Sequence, residues 1–201
     1  MHTILFTGHR PDSPDRAEAR FPDRRVPAAY AAIRAALLEI AASSGPCRGI
    51  AGGASGGDIL FHEACLEVGI PSRLYLAVPP APFVASSVAP SGPPWVERFN
   101  ALLARLPPPV VLEPQPPASL VRSSALWERN NVWLLDEALR EGTGTATLVA
   151  LWDGEPGDGP GGTNGLVALA RGRGVRTRVI DTWRLDDGAA GDRGEARPET
   201  L

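Results

Sequence analysis

The chain has 201 residues, 43% of them hydrophobic and 21% charged, which suits one globular domain with a sizeable core. Its net charge of −3 and pI of about 5.6 supply no general basic field, so nucleic acid is not an expected partner. The two cysteines, Cys47 and Cys65, lack metal-ligand spacing and point to a reduced, cytoplasmic protein. The start, MHTILFTGHR, has no charged leader region, and no stretch is expected to reach the roughly 18–20 apolar residues that a membrane helix needs.

Residues 3–7, TILFT, are a short apolar run ended by Gly8 and read as a buried strand. Residues 9–26 are charged and contain proline, the composition of a loop. Tyr30, Ile33, Leu37 and Ile40 then recur at helical spacing until Gly45-Pro46. Residues 47–51 form a second strand. The stretch GIAGGASGGDILF follows, with Asp58 at the expected start of a helix whose stripe is Phe61, Cys65 and Val68. Residues 73–78, RLYLAV, read as strand three. Residues 79–94 hold six prolines and are expected to be extended.

Trp95, Phe99, Leu102 and Leu106 mark another helix, stopped by Pro107 to Pro109. Val110 to Leu112 read as a short strand before a second proline-rich loop that runs to residue 117. Residues 123–141 are expected to be the longest helix, with polar Asn130 sharing a face with Leu126 and Trp133. ATLVALW, residues 146–152, is the clearest strand. A glycine-rich loop, a helix over 163–173 and a strand over 175–181 complete the pattern. Residues 185–201 are polar and expected to be disordered, leaving one domain over 1–184. Continuous apolar strands alternating with helices predict a Rossmann-like, doubly wound, mostly parallel sheet flanked by helices on both faces.

On such a sheet, loops that follow strands emerge at one edge, where ligands bind. Three are rich in glycine or polar residues: Thr7-Gly8-His9-Arg10, then Gly52-Gly53-Ala54-Ser55-Gly56-Gly57-Asp58, then Gly159-Pro160-Gly161-Gly162-Thr163-Asn164. Glycine frees backbone N–H groups, and a helix start adds positive potential, so both glycine loops suit phosphate. Neither is a dinucleotide fingerprint or a P-loop. Packing alone also accounts for a glycine loop, and a plain helix cap accounts for Asp58 or Thr163. Arg10 suits a phosphate clamp and His9 a base or donor. Asn130 on an apolar face calls for a buried partner or a ligand. Trp152 suits core packing or stacking on a base, and Asp153 suits a ribose hydroxyl or a turn. The three histidines are scattered, so no metal site is expected.

Taken together, FTGHR, GGASGGD and LWDGEPGDGPGGTNGLVALARGRGV resemble the SLOG superfamily over about residues 3–181. That group comprises Rossmann-like domains related to the DNA-processing protein DprA and to the lysine-decarboxylase-like LOG phosphoribohydrolases. The resemblance implies binding of a nucleotide or nucleotide-derived signal, with a separately encoded effector and a homodimer as candidate partners and no cofactor. It alternatively implies a nucleotide N-glycosidase. The LOG motif resembles P-G-G-x-G-T-x-x-E, whereas this chain has Leu166 where a Glu three residues after Thr163 would stand. Asp58, Asp153 and Glu63 are then the candidate catalytic carboxylates. DprA-like nucleic-acid handling fits poorly with the acidic balance.

Overall fold

The computed structural model describes residues 1–13, 16–121, 123–156 and 161–185. The expected tail from residue 186 onward, and Gly159 and Pro160 of the third loop, lie outside the described residues. Six parallel strands form one sheet: β1 (His2–Gly8), β2 (Cys47–Ala51), β3 (Ser72–Leu76), β4 (Val110–Val111), β5 (Ala146–Trp152) and β6 (Arg176–Asp181). Their order is β4-β3-β2-β1-β5-β6. The chain winds outward from β1 to one edge, then crosses back to fill the other. The fold is therefore a doubly wound α/β Rossmann-like one, with its topological switch between β1 and β5.

Seven helices accompany the strands: α1 (Val26–Ser44), α2 (Gly57–Val68), α3 (Pro80–Phe83), α4 (Pro93–Arg105), α5 (Ala118–Val121), α6 (Ser124–Ala138) and α7 (Thr163–Gly172). β1 shows why both faces need cover. Ile4 and Phe6 enter one core with α1, α2 and α4, while Leu5 enters a second core with α6 and α7. Alternate side chains point to opposite faces, so a strand buried on both reads as a continuous apolar run. All seven residues of β5 are buried for the same reason. Phe6 stacks on Phe61 of α2 with ring centroids 4.8 Å apart, fixing that helix over the centre of the sheet.

Three expectations change. The longest helix is α1, with 19 residues, rather than α6, with 15. Alanines at 28, 29, 31, 32, 35 and 36 make α1 a strong helix-forming stretch until Gly45 turns out of it at φ 73°. The proline-rich stretch 79–94 is not extended but wound into α3, a π-turn at Val84–Val88 and a 3₁₀ turn at Ala89–Ser91. Proline at a first helical position sacrifices no hydrogen bond, so these prolines start short helical pieces instead of preventing them. Finally, the stretch Asp23–Ser44 is long and apolar enough to cross a membrane by length and composition, although one face of it, with Ile33, Leu37 and Ile40, packs into the first core.

Candidate functional site

The loops after β1, β2 and β5 meet at the carboxyl edge of the sheet around a cavity of about 1020 Å³. Two bonds at the carboxyl end of β1, one to Thr7 and one to His9 just beyond it, show how close they come. Thr7 Oγ1 donates to Thr163 Oγ1 at 3.4 Å, and the Gly57 N–H donates to the His9 carbonyl at 3.0 Å. The starts of α7 and α2 therefore flank the tip of one strand. Gly8, His9, Arg10, Gly52, Ala54, Asp58, Asn130, Trp152, Gly161, Gly162, Thr163 and Asn164 line the cavity. Gly53, Ser55, Gly56, Gly57 and Asp153 do not.

The glycines after β2 are there for the protein's own packing. A Cβ on Gly57 would lie 2.8 Å from the Gly8 Cα, and one on Gly53 would lie 2.6 Å from the Phe99 ring. Gly56 has φ +83°, and its Cβ would meet the His9 carbonyl oxygen at 2.5 Å. Three of the loop's amides are also engaged. Ala54 N–H donates to Asp58 Oδ2 at 3.3 Å, Ser55 N–H to the Ser87 carbonyl at 3.1 Å, and Gly57 N–H to His9 as above. This corrects the expectation of free amides holding phosphate at Ala54, Ser55 and Gly57. Ser55 is buried, and its hydroxyl joins Ser91 Oγ at 2.6 Å while accepting from Arg10 Nε at 3.3 Å.

Asp58 is not the N-cap; Gly56 holds that place, and Asp58 stands in the first turn of α2. Its carboxylate already complements the positive end of that helix. Burial pushes its pKa up to about 7, against the lowering pull of the Ala54 N–H and the Arg10 charge. Oδ2 is tied to Ala54, while Oδ1 has no partner among the described residues, and the side chain borders the cavity.

The third loop behaves differently. Gly162, not Thr163, precedes α7 as its cap, and no side chain fills that role. Thr163 and Asn164 N–H groups find no acceptor among the described residues, whereas Gly165 N–H donates to Gly162 at 3.0 Å. Asn131 Nδ2 donates to the Gly161 carbonyl at 2.9 Å and to Gly162 at 3.3 Å, holding the loop against α6. Gly161 has φ +84° and sits where a Cβ would meet the Trp127 backbone at 2.7 Å. Beside it, Asn130 is 8% exposed, and its Oδ1 has no hydrogen-bond partner.

Asp153 is consumed by ion pairing. Arg20 grips both carboxylate oxygens, Nε on Oδ2 and Nη2 on Oδ1 at 2.7 Å, and Glu155 N–H donates to Oδ1 at 3.0 Å. Burial pushes this carboxyl up, but Arg20, the Glu155 N–H and His9 outweigh it and hold it far below the usual carboxylate range. His9 Nε2 lies 3.1 Å from Asp153 Oδ1 and 3.3 Å from the Asp153 N–H. It donates to the first in one tautomer and accepts from the second in the other. Burial lowers the His9 pKa, only partly countered by Asp153. A ribose-binding or catalytic role for Asp153 is thus corrected to a structural one. Glu63 is also removed from the site: Arg98 holds both of its oxygens on an outer groove between helices.

Trp152 packs in the second core and donates Nε1–H to the Glu155 carbonyl at 2.8 Å, leaving one edge at the cavity. The aromatic wall that sequence reasoning missed is Trp127 and Phe83, with centroids 6.2 Å apart. Ser86, Ser87 and Ser91 from the segment expected to be extended complete the rim. No three His, Cys, Asp or Glu side chains among the described residues converge as metal ligands. Comparison of the chain with protein-family models and with curated proteins finds no match in either.

Proposed function

We propose that this cavity binds a nucleotide or a nucleotide-derived phosphate compound. The observation that carries the reading is Asn130, a buried side chain lining an open cavity at the switch point, whose Oδ1 lies beneath the wall with no partner among the described residues. A buried polar atom without a partner costs about 1–3 kcal/mol, and a bound ligand's N–H or O–H offsets that cost once the Asn130 amide turns toward the cavity. The phosphoryl group belongs at the positive end of α7, where Thr163 and Asn164 line the cavity and their N–H groups have no acceptor among the described residues. Arg10 adds a cation, and the Trp127 and Phe83 rings, tilted 59° to each other, offer aromatic surface to a base. The resemblance to the SLOG superfamily supports the same ligand class, with an effector encoded elsewhere as the recipient of the signal.

A second reading is N-glycoside hydrolysis with Asp58 as the carboxylate. It is favoured by one observation, that the Asp58 carboxyl is poised at about 7 beside the cavity. One experiment separates the two. The protein is mixed with nucleoside 5′-monophosphates, NAD or ADP-ribose, and melting temperature and base release are followed together. Stabilisation without base release is the expected result. Release abolished by Asp58→Asn supports hydrolysis, and no response to any nucleotide refutes both. Arg10→Ala is expected to weaken nucleotide binding by about tenfold and nucleoside binding hardly at all. Equal losses remove Arg10 from the phosphate site.

A further inference from the structure

The two helix starts that flank β1 are not equivalent. At α7 the first amides are unfilled and no carboxylate stands beside them among the described residues. At α2 an internal anion, Asp58, already occupies the first turn and takes the Ala54 N–H. A ligand phosphate is attracted to the first, whereas at the second the Asp58 carboxyl already stands where an anion would sit. β2 and β5 lie on either side of β1, so their following loops leave the sheet about 10 Å apart, twice the strand spacing. The sugar of a nucleotide anchored through its phosphate at α7 therefore lies toward Asp58.

The Asp58 carboxylate is held for such contact. Ala54 N–H fixes Oδ2, and a Cβ on Gly52 would lie 2.6 Å from that oxygen, so only glycine leaves it room. Arg10, packed against Gly56 and bonded to Ser55 of the same loop, partly offsets the cost that burial places on a negative Asp58. Oδ1 is left as an acceptor without a donor among the described residues. A carboxylate oxygen on a cavity wall accepts from hydroxyl groups and repels phosphate.

Building on the nucleotide site proposed above, we infer that Asp58 reads the sugar hydroxyls, so that the cavity selects ribonucleotides over 2′-deoxyribonucleotides. Removing the hydroxyl leaves a partly buried carboxylate oxygen facing a C–H, and sites built to bond a hydroxyl reject analogues that lack it.

The test is titration calorimetry with the four ribonucleoside 5′-monophosphates and their 2′-deoxy counterparts. The tightest ribonucleotide is expected to bind at least tenfold more tightly than its deoxy form. Asp58→Asn keeps the shape and the bond to Ala54 and is expected to cut that ratio below about threefold. Gly52→Ala keeps the charge but displaces the carboxylate, and is expected to lower the ratio as well. Melting temperatures of both variants check that they fold. Equal affinity of the wild-type protein for both sugars, or a ratio unchanged in the folded Asp58→Asn protein, overturns the inference while leaving the nucleotide site standing. Binding of NAD or ADP-ribose but of no monophosphate overturns this inference alone, and binding of none of them overturns the nucleotide site as well.

Discussion

Replacing Arg20 by alanine removes the two-pronged guanidinium grip on the buried Asp153 carboxylate. The Asp153 side chain is fully buried and the Arg20 side chain only 11% exposed, so little solvent screens the pair. Arg20 also donates to the Pro156 and Glu155 carbonyls, each at 3.2 Å. Removing one partner of a buried pair costs about 3–5 kcal/mol, because the remaining charge stays desolvated. The Glu155 N–H and His9 still face Asp153, which argues for the lower end of that range. For a chain of this size, about 3 kcal/mol lowers the melting temperature by roughly 6–12 °C.

The assay is urea unfolding at pH 7 and pH 4 for the wild type, Arg20→Ala, Asp153→Asn and the double variant. In the wild type the Asp153 pKa is depressed in the folded state. Its contribution is therefore present above the unfolded value of about 3.9 and disappears only as pH falls below it. In Arg20→Ala, burial is no longer outweighed, so protonation near pH 4 relieves the penalty. The difference from wild type should shrink at pH 4, and Asp153→Asn added to Arg20→Ala should recover much of the loss. A deficit under about 1 kcal/mol at pH 7, or a double variant no better than Arg20→Ala, would refute the reasoning.

His62 is buried between Ser72 Oγ and the Gly52 carbonyl, each 3.0 Å away, and burial lowers its pKa to about 4. The folded state thus resists a proton that the unfolded chain takes up near 6.5, so stability should fall as pH drops from about 6.5 towards 4, by up to about 1.4 kcal/mol per unit. Unfolding curves of wild type and His62→Gln across that window test it; parallel pH slopes would remove His62 as the cause. Gly57→Ala should destabilise by about 1–3 kcal/mol, since the clash is with the Gly8 backbone rather than a movable side chain. A melting temperature unchanged in that variant contradicts the packing described. Asn131→Ala frees the Gly161 and Gly162 carbonyls and should weaken binding of nucleoside monophosphates several-fold while altering nucleoside affinity less, read by calorimetry. A uniform loss for both would place Asn131 in general stability instead.

Much of the fold was legible because β1 and β5 carry unbroken apolar runs, and Gly45 and Gly69 end helices as glycine usually does. The convergence of three loops followed from parallel topology alone. What each loop does was less legible. Glycines that admit a ligand and glycines that admit a neighbouring backbone look alike in a sequence, and Gly57 proves to be the second kind by its contact with Gly8. Asp153 looked available because its partner, Arg20, lies 133 positions away in a stretch with no regular pattern. Asn130 was visible as a polar residue on an apolar face. Phe83 and Ser87 were hidden by prolines that usually signal extended chain. Asn131 carried one faint sign, its place beside Asn130 on the helix.

The welding of Gly8 to Gly57, together with the Ser55–Ser87 and Ser55–Ser91 links, has a consequence for how a guest is received. Opposite banks of the hollow are riveted to the same strand tip before anything arrives. The vessel is cast rather than moulded around its contents, so little ordering entropy is left to lose when it is filled.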